Sequence, residues 1–236
     1  MPRARDGGDL RPRGRPARGR SQAPGRTAAA GLGGAAVLYN CWLLELVLPT
    51  GLDPRHSYVS ELYAADQPYR AVFGGTEAAC ALLLGTVALL VRGRATGAVA
   101  RAGWWALAGF AGASLGDVLL PMRCAPSVEP ACEAVHVSHT VTSALVHFFL
   151  FSAMVLLVRA PGAGRWGPAV LGCALVSSVS TVGPLIGHPG WHGVPQRAHL
   201  LVVGVWLVLL ARSVLVPPAR ERRPGPAPEE VGAWRP

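Results

Sequence analysis

At 236 residues, with 51% hydrophobic and only 15% charged residues, the chain is too apolar for an ordinary water-soluble domain. Its net charge is +9, but its basic side chains are all arginines that fall in tails and loops rather than on one face, so a nucleic-acid partner is not expected. Six apolar stretches of about 19–23 residues are each long enough to cross a hydrocarbon core roughly 30 Å thick. They are Ala28–Leu48, Ala71–Val91, Ala102–Leu120, His136–Val158, Trp166–Ile186 and Ala198–Val216.

These stretches predict an all-α integral membrane protein, a six-helix bundle, because a helix satisfies its own backbone hydrogen bonds inside a bilayer. Eighteen arginines lie in the N-terminal tail, the 92–101 and 159–165 loops and the C-terminal end, whereas four lie in the opposite loops. Since arginine-rich segments stay in the cytoplasm, both termini are expected to be cytoplasmic. We expect a disordered basic tail over 1–27, a transmembrane domain over 28–216 and a disordered tail over 217–236, in a bacterial cell (cytoplasmic) membrane.

The first apolar stretch is expected to remain in the protein as a signal anchor. It is full length and runs into Pro49-Thr50-Gly51, without the small-x-small site at which a signal peptide is cleaved. The tail before it is rich in Arg, Gly and Pro and has too few apolar residues to fold. Its simplest role is to set the topology, and binding to anionic headgroups is the alternative.

Two of the five cysteines flank a loop between the third and fourth stretches. Cys124 and Cys132 are separated by seven residues on the side that the arginine count assigns to the oxidising exterior. A disulfide is therefore predicted, and closing so small a loop would stabilise the protein by roughly 2–3 kcal/mol. Nothing in the spacing favours a metal site at this pair.

Ionisable side chains are concentrated toward the outer half of the predicted membrane domain. Three acidic residues fall within the apolar stretches, and each is nearer the outer end: Glu45, Glu77 and Asp117. An acidic residue at the centre of a span costs roughly 2.5–3.5 kcal/mol on insertion scales, so three in one leaflet predict a shared polar cavity that opens outward. All seven histidines lie in the same half or its loops: His56, His136, His139, His147, His188, His192 and His199.

The fourth stretch carries the clearest polar face. At 100° per residue, five side chains fall within an arc of about 100°. They are His136, His139, Thr140, Ser143 and His147. Because the third and fourth helices are consecutive and antiparallel, Asp117 is expected at the depth of the start of this stripe. In the first outer loop, Ser60 and Glu61 are expected to cap a short helix or to reach into the same vestibule.

Three interpretations of this cluster remain open. It could be a solute or proton pathway, since intramembrane ionisable groups often mark one and histidine titrates near neutral pH. It could hold a metal, zinc being the candidate, through His136, His139 and Asp117, and so activate water for hydrolysis. It could also be structural, the polar groups pairing with one another. No HExxH pattern, nucleophile elbow or phosphate loop is present in the sequence, and no soluble cofactor is predicted.

A series of short motifs extends over nearly all of the chain between the two tails. They are Ser60-Glu61-Leu62, Pro68, Phe73, Glu77, Asp117, the Pro121–Pro126 turn, Cys132 and the His136/His139 stretch. Together these motifs resemble an uncharacterised polytopic membrane family of actinobacteria, domain of unknown function 998. The resemblance implies a six-helix integral membrane protein and adds no activity.

A more remote similarity is to membrane hydrolases of the alkaline-ceramidase and progestin-and-adipoQ-receptor superfamily, which combine Ser, Asp and several His. Those proteins are expected to have seven helices and a late histidine pair, whereas this chain has six stretches and only His199 in the last one. We therefore expect binding or translocation of a small solute or lipid headgroup, lined by Glu45, Ser60, Glu61, Glu77, Asp117, Ser143, His147 and His199. A metal-dependent hydrolase acting on a lipid or amide, and a scaffold without chemistry, are the alternatives.

Overall fold

The computed structural model describes residues 23–133, 135–158, 166–186 and 190–215. The predicted tail 217–236, most of the predicted tail 1–27, the arginine-bearing loop 159–165 and His188 lie outside these residues. Within them the chain forms six α-helices and no strand, which confirms the all-α prediction. The helices are α1 (Ala23–Tyr39), α2 (Arg70–Arg92), α3 (Ala98–Leu119), α4 (Val137–Leu157), α5 (Trp166–Val179) and α6 (Gly193–Leu215). Short 3₁₀ helices occur at Cys41–Leu46, Val59–Tyr63 and Gly183–Ile186.

The first helix changes its winding at Asn40, where a single α-helix to Leu48 was predicted. The Asn40 side chain donates a hydrogen bond to the Ala36 carbonyl (3.0 Å) and accepts one from the Trp42 indole (3.2 Å). An asparagine amide competes in this way with the backbone hydrogen bonds of a helix. The chain therefore continues as a 3₁₀ helix from Cys41, and this last part carries Glu45.

The fifth helix ends at Val179, seven residues before the predicted end at Ile186. Its last turn is rich in hydroxyl side chains that bond back to the helix carbonyls, among them Ser177 to Cys173 and Ser180 to Val176. Pro184 follows within a short 3₁₀ helix and has no amide hydrogen with which to continue an α-helix. The polar end of α5 thus faces the loops instead of extending the apolar span.

Four helical segments are long and apolar enough to cross a membrane by length and composition: Gly25–Leu46, Arg70–Arg92, Val137–Leu157 and Gly193–Leu215. The α3 helix has 22 residues, and α5 is shorter, with 14. Large apolar side chains point outward, for example Val37, Val137 and Val176, which are 71%, 73% and 69% exposed. An apolar exterior around buried charged groups is consistent with a protein embedded in a lipid bilayer.

The helices form an incomplete ring. Going round it, α5 packs on α6, α6 on α1, α1 on α2, α2 on α3 and α3 on α4, whereas α4 and α5 hardly touch. The core inside the ring is apolar and includes Leu32, Leu84, Leu107, Phe110, Leu150 and Leu207, all of them fully buried. The beginning of α1 lies beside the end of α6, since a Cβ built on Gly25 would lie 3.1 Å from the Val214 carbonyl oxygen.

Two glycines allow α3 and α4 to approach closely. A Cβ built on Gly109 would lie 2.5 Å from the Phe149 ring, and one built on Gly103 would lie 2.6 Å from Leu157. Gly112, one turn further along α3, has nothing within 4 Å of such a Cβ. The close α3–α4 packing that positions the polar groups of these two helices therefore depends on Gly103 and Gly109.

Candidate functional site

A cavity of about 1000 Å³ lies at one end of the helix bundle. This is the loop-side end, where the connections between α1 and α2, between α3 and α4 and between α5 and α6 lie. All six α-helices contribute to its wall, from Tyr39 at the end of α1 to Leu200 in α6. Nine of the predicted site residues line it: Ser60, Glu61, Glu77, Asp117, His136, His139, Ser143, His147 and His199. The structure thus brings ionisable side chains from α2, α3, α4 and α6 into one space.

Asp117, near the end of α3, is the most heavily bonded group in this cavity. Its carboxylate accepts hydrogen bonds from the Tyr63 hydroxyl (2.9 Å), the Ser143 hydroxyl (3.1 Å) and the Thr142 hydroxyl. The side chain is buried, so these donors replace the water that a carboxylate would otherwise hold. Asp117 therefore ties α3 both to α4 and to the loop that precedes α2.

His139 lies between Asp117 and Ser143. Its Nδ1 is 3.1 Å from Asp117 Oδ1, within ion-pair distance but off the direction of a hydrogen bond, and its Nε2 is 3.4 Å from the Ser143 hydroxyl oxygen. His139 and Ser143 are four residues apart and so share one face of α4. The sequence predicted the polar face of α4 and the depth of Asp117. In the structure this face contacts Asp117 through His139 and Ser143.

Glu77 of α2 lines the cavity as a half-buried carboxylate beside the α3 wall that carries Ser114 and Asp117. It reaches the cavity because α2 packs directly on α3. Two carboxylates from neighbouring helices consequently face the same space.

The loop between α1 and α2 covers the cavity. The Tyr58 hydroxyl donates to the Thr181 carbonyl (2.9 Å), the Val59 amide to Gln196 Oε1 (2.6 Å) and the Ala65 amide to the Met122 carbonyl (2.8 Å). Burial, and then the neighbouring carboxylate of Glu61, raise the pKa of Tyr58 to about 12, so the hydroxyl stays protonated and remains a donor.

Glu61 has both of the roles that the sequence suggested. One carboxylate oxygen accepts from the Tyr58 amide (2.8 Å) and so caps the short 3₁₀ helix. The other accepts from the amide (2.9 Å) and the hydroxyl (2.5 Å) of Ser127, in the loop between α3 and α4. Glu61 is only 1% exposed, and these bonds hold the cover to the opposite side of the cavity. Ser60, next to it, lines the cavity itself.

His147 and His199 lie together where α4 faces α6. Their rings are stacked with centroids 5.5 Å apart, and Phe151 lies 5.9 Å from His199. His147 Nδ1 lies 2.8 Å from the Ser143 carbonyl, and His199 Nδ1 lies 3.0 Å from the Ala174 carbonyl. His199 is only 2% exposed, yet its Nε2 has no hydrogen-bond partner in the part of the chain that the structure describes. That nitrogen is available to a ligand in the cavity.

The two loop cysteines lie at disulfide distance, with 2.01 Å between their sulfurs. The His136 ring lies over them, with Nε2 3.5 Å from the Cys132 sulfur and 4.0 Å from the Cys124 sulfur. Among the described residues, these three are the group whose possible ligand atoms lie within 4.8 Å of one another. His136 is thus placed with the sulfurs, while His139 and Asp117, its predicted companions at a zinc site, form a separate pair.

Glu45 lies outside the residues that line the cavity. Its two carboxylate oxygens each accept a 2.6 Å hydrogen bond from Arg197, through Nε and Nη2. Arg197 Nη1 also donates to the carbonyls of Ser57 (2.8 Å) and Gly193 (3.1 Å). Both partners are 7% exposed, so this is a buried, bidentate ion pair that joins the 3₁₀ helix after α1 to the start of α6.

Sequence reasoning did not find Tyr63, Thr142 and Ser127. They are hydrogen-bond donors to the buried carboxylates of Asp117 and Glu61. Thr142 could have been found, because it lies three residues after His139 and therefore beside it on α4. Tyr63 and Ser127 lie in loops, where no periodicity indicates which way a side chain points. Their roles follow only from the folding of the first loop across the cavity.

The charge of the wall is acidic. Glu61, Glu77 and Asp117 contribute carboxylates, and none of the described residues that line the cavity is an arginine. Because the chain has no lysine, histidine is the only side chain of this wall that can become cationic. The cavity is therefore suited to a ligand that donates hydrogen bonds or carries positive charge rather than to a phosphate.

Comparison with known proteins agrees with the resemblance seen in the sequence. No curated protein and no solved structure matches the chain. The profile of one family, protein of unknown function (DUF998), matches residues 32–213, a range that begins in α1 and ends in α6 and includes every residue of the cavity wall. The chain belongs to the protein family of unknown function DUF998.

Proposed function

We propose that this protein crosses the cytoplasmic membrane several times, with both termini in the cytoplasm, and binds the polar group of a small solute or lipid in its cavity. The arginine distribution supports the orientation, since it places the loop-side cavity on the outer face. The observation that carries the binding proposal is the cavity itself. Its wall has carboxylates from α2 and α3 and the His199 nitrogen that no described residue hydrogen-bonds.

Thermal unfolding of the purified full-length protein in mild detergent tests this proposal. Uncharged or cationic polyols without a hydrocarbon chain, such as 2-amino-1,3-propanediol, should raise the melting temperature in proportion to ln(1 + [L]/Kd). The increase should be lost in Glu77→Gln, which removes the charge but keeps the shape. Glu133→Gln is the matched control, because Glu133 is an exposed glutamate outside the cavity wall.

The result distinguishes binding from a purely structural role of the same side chains. If Glu77→Gln lowers the melting temperature of the unliganded protein and no polyol stabilises either form, the polar cluster holds the bundle together and the binding proposal is wrong. If the polyols stabilise the parent protein and the Glu133→Gln control alone, the cavity is a binding site.

A hydrolase is the second candidate, because Asp117, His139 and Ser143 supply a carboxylate, a base and a hydroxyl nucleophile. His139 Nδ1 is 3.1 Å from Asp117 Oδ1, and His139 Nε2 is 3.4 Å from the Ser143 hydroxyl oxygen. For this chemistry the Ser143 hydroxyl, which donates to Asp117 in the structure, has to turn and donate to His139. A fluorophosphonate probe should then label the parent protein and not Ser143→Ala, with Ser60→Ala as a control on the same wall. The metal-dependent form predicts, in addition, stoichiometric zinc that survives detergent extraction and is lost in His139→Ala.

A further inference from the structure

The cavity continues into an apolar groove along α4. The groove has a volume of about 690 Å³ and is lined by Ala144, His147, Phe148, Phe151, Ser152, Val155 and Leu156. Ala144 and His147 also line the cavity, so the groove begins where the cavity ends. The groove residues lie on one face of α4, because they recur every three or four positions.

In the part of the chain that the structure describes, no helix packs along the length of this face of α4, and only His199 of α6 contacts it, at His147 and Phe151. The ring of helices is open between α4 and α5, and Phe148 and Val155 of the groove are 63% and 54% exposed. From Ala144 to Leu156 a helix rises about 18 Å, somewhat more than half of a hydrocarbon core of about 30 Å. The polar cavity therefore borders a shallow apolar groove on the surface of α4, and this groove has about the length of an acyl chain.

The succession of polar cavity and apolar groove specifies the chemistry of the ligand. At the cavity end, carboxylates and histidines meet the ligand without an arginine. At the groove end, aromatic and aliphatic side chains dominate, and Ser152 is bonded to its own helix through the Phe148 carbonyl. A molecule complementary to both ends has a neutral or cationic hydrogen-bonding head and a hydrocarbon tail.

We propose that the ligand is such an amphiphile, with an uncharged or amine-bearing hydroxylated head in the cavity and one hydrocarbon chain in the α4 groove, entering through the opening between α4 and α5. This inference rests on the proposed function and names its substrate class. His147 and His199 lie at the junction, so the Nε2 of His199 meets the head where the chain begins.

The hydrocarbon chain of the ligand contributes to its orientation in the site more than to the strength of binding. A hydrocarbon chain that moves from the bilayer into the groove leaves one apolar surrounding for another, so the transfer gains little hydrophobic free energy. The position of the hydrocarbon chain is consequently a better test of the proposal than the effect of that chain on affinity.

Photolabelling measures that position. Full-length protein in phosphatidylcholine vesicles is irradiated with sphingosine that carries a diazirine in its chain, and the labelled residues are identified by peptide mass spectrometry. The labels should be concentrated between Phe148 and Leu156. Ala144→Trp, which fills the junction, should reduce them about tenfold (about 1.4 kcal/mol). Leu145→Trp is the matched control, because Leu145 lies on α4 outside both the cavity and the groove.

The outcomes separate this inference from the binding proposal. Labels spread evenly over the lipid-facing helices, or labelling of the groove that Ala144→Trp leaves unchanged, would overturn the amphiphile while the stabilisation by chainless polyols still stands. Equal labelling by a diazirine fatty acid would overturn the neutral or cationic head. Labelling confined to the groove and lost in Ala144→Trp alone establishes the amphiphile and its route.

Discussion

Removal of the arginine from the buried Glu45–Arg197 pair should destabilise the protein strongly. In Arg197→Met the carboxylate of Glu45 loses both of its 2.6 Å bonds and stays buried, and the carbonyls of Ser57 and Gly193 lose a donor. Breaking a buried pair by removing one partner costs about 3–5 kcal/mol. For a domain of this size we expect the melting temperature to fall by about 6–20 °C.

The test is thermal unfolding in detergent, followed by intrinsic fluorescence, of Arg197→Met and of the double variant Glu45→Leu/Arg197→Met. Replacing both charges by apolar groups is often neutral, so the double variant should recover most of the loss. Arg55→Met is the control, since Arg55 pairs with Asp53 at the surface, where both side chains are largely exposed, and no measurable change is expected.

A shift in Arg197→Met no larger than that in Arg55→Met would refute the reasoning, because it would mean that water reaches Glu45 and replaces the guanidinium. A double variant as unstable as the single one would also refute it. In that case the hydrogen bonds of Arg197 to the backbone, and not its charge, would hold α1 to α6.

Three further predictions concern packing, the loop cysteines and pH. Gly109→Ala should cost about 1–3 kcal/mol, seen as a lower melting temperature, because the new methyl group meets an aromatic ring on α4, whereas Gly112→Ala should be neutral or slightly stabilising. Replacing Cys124 and Cys132 together by serine should cost about 2–3 kcal/mol, and the mass of the intact protein should rise on reduction by two hydrogens. Burial lowers the pKa of His192 in the folded protein, so the unfolded chain binds this proton at a higher pH than the folded chain does. Stability should therefore fall as the pH drops below about 6.5, and it should fall less in His192→Asn.

Each of these has a result that contradicts it. Equal melting temperatures for the two alanine variants would show that α3 and α4 separate without cost. Unchanged mass on reduction would mean free thiols. A pH profile of His192→Asn that superimposes on that of the parent protein would assign the acid sensitivity to another group.

The lengths of α2 and α4 could be predicted, because a helix that crosses a hydrocarbon core needs about 20 apolar residues. The second stretch was predicted at Ala71–Val91 and the helix is Arg70–Arg92. The ends that differ depend on local side-chain chemistry, as at Asn40, where an amide bond to the backbone changes the winding. The pattern of apolar residues indicates which side chains are buried, and it does not predict a side-chain hydrogen bond to the backbone.

The polar face of α4 could also be predicted, because its residues are spaced by the helix period. What the sequence could not show is which buried groups meet across the ring. Glu45 and Arg197 are separated by 152 positions, and Arg197 was counted with the loop arginines. A partner so distant in sequence leaves no local pattern, and only the packing of α1 on α6 reveals that Glu45 belongs to an ion pair and not to the cavity.

The packing of the first helix on the last has a consequence for biosynthesis. Until the last helix has been synthesised, the Glu45 carboxylate lacks its guanidinium partner and the nascent bundle lacks one of its walls. A chain truncated before Arg197 would leave this acid without its partner, so we expect it to be much less stable than the full chain. The stability of the finished protein therefore depends on its last helix.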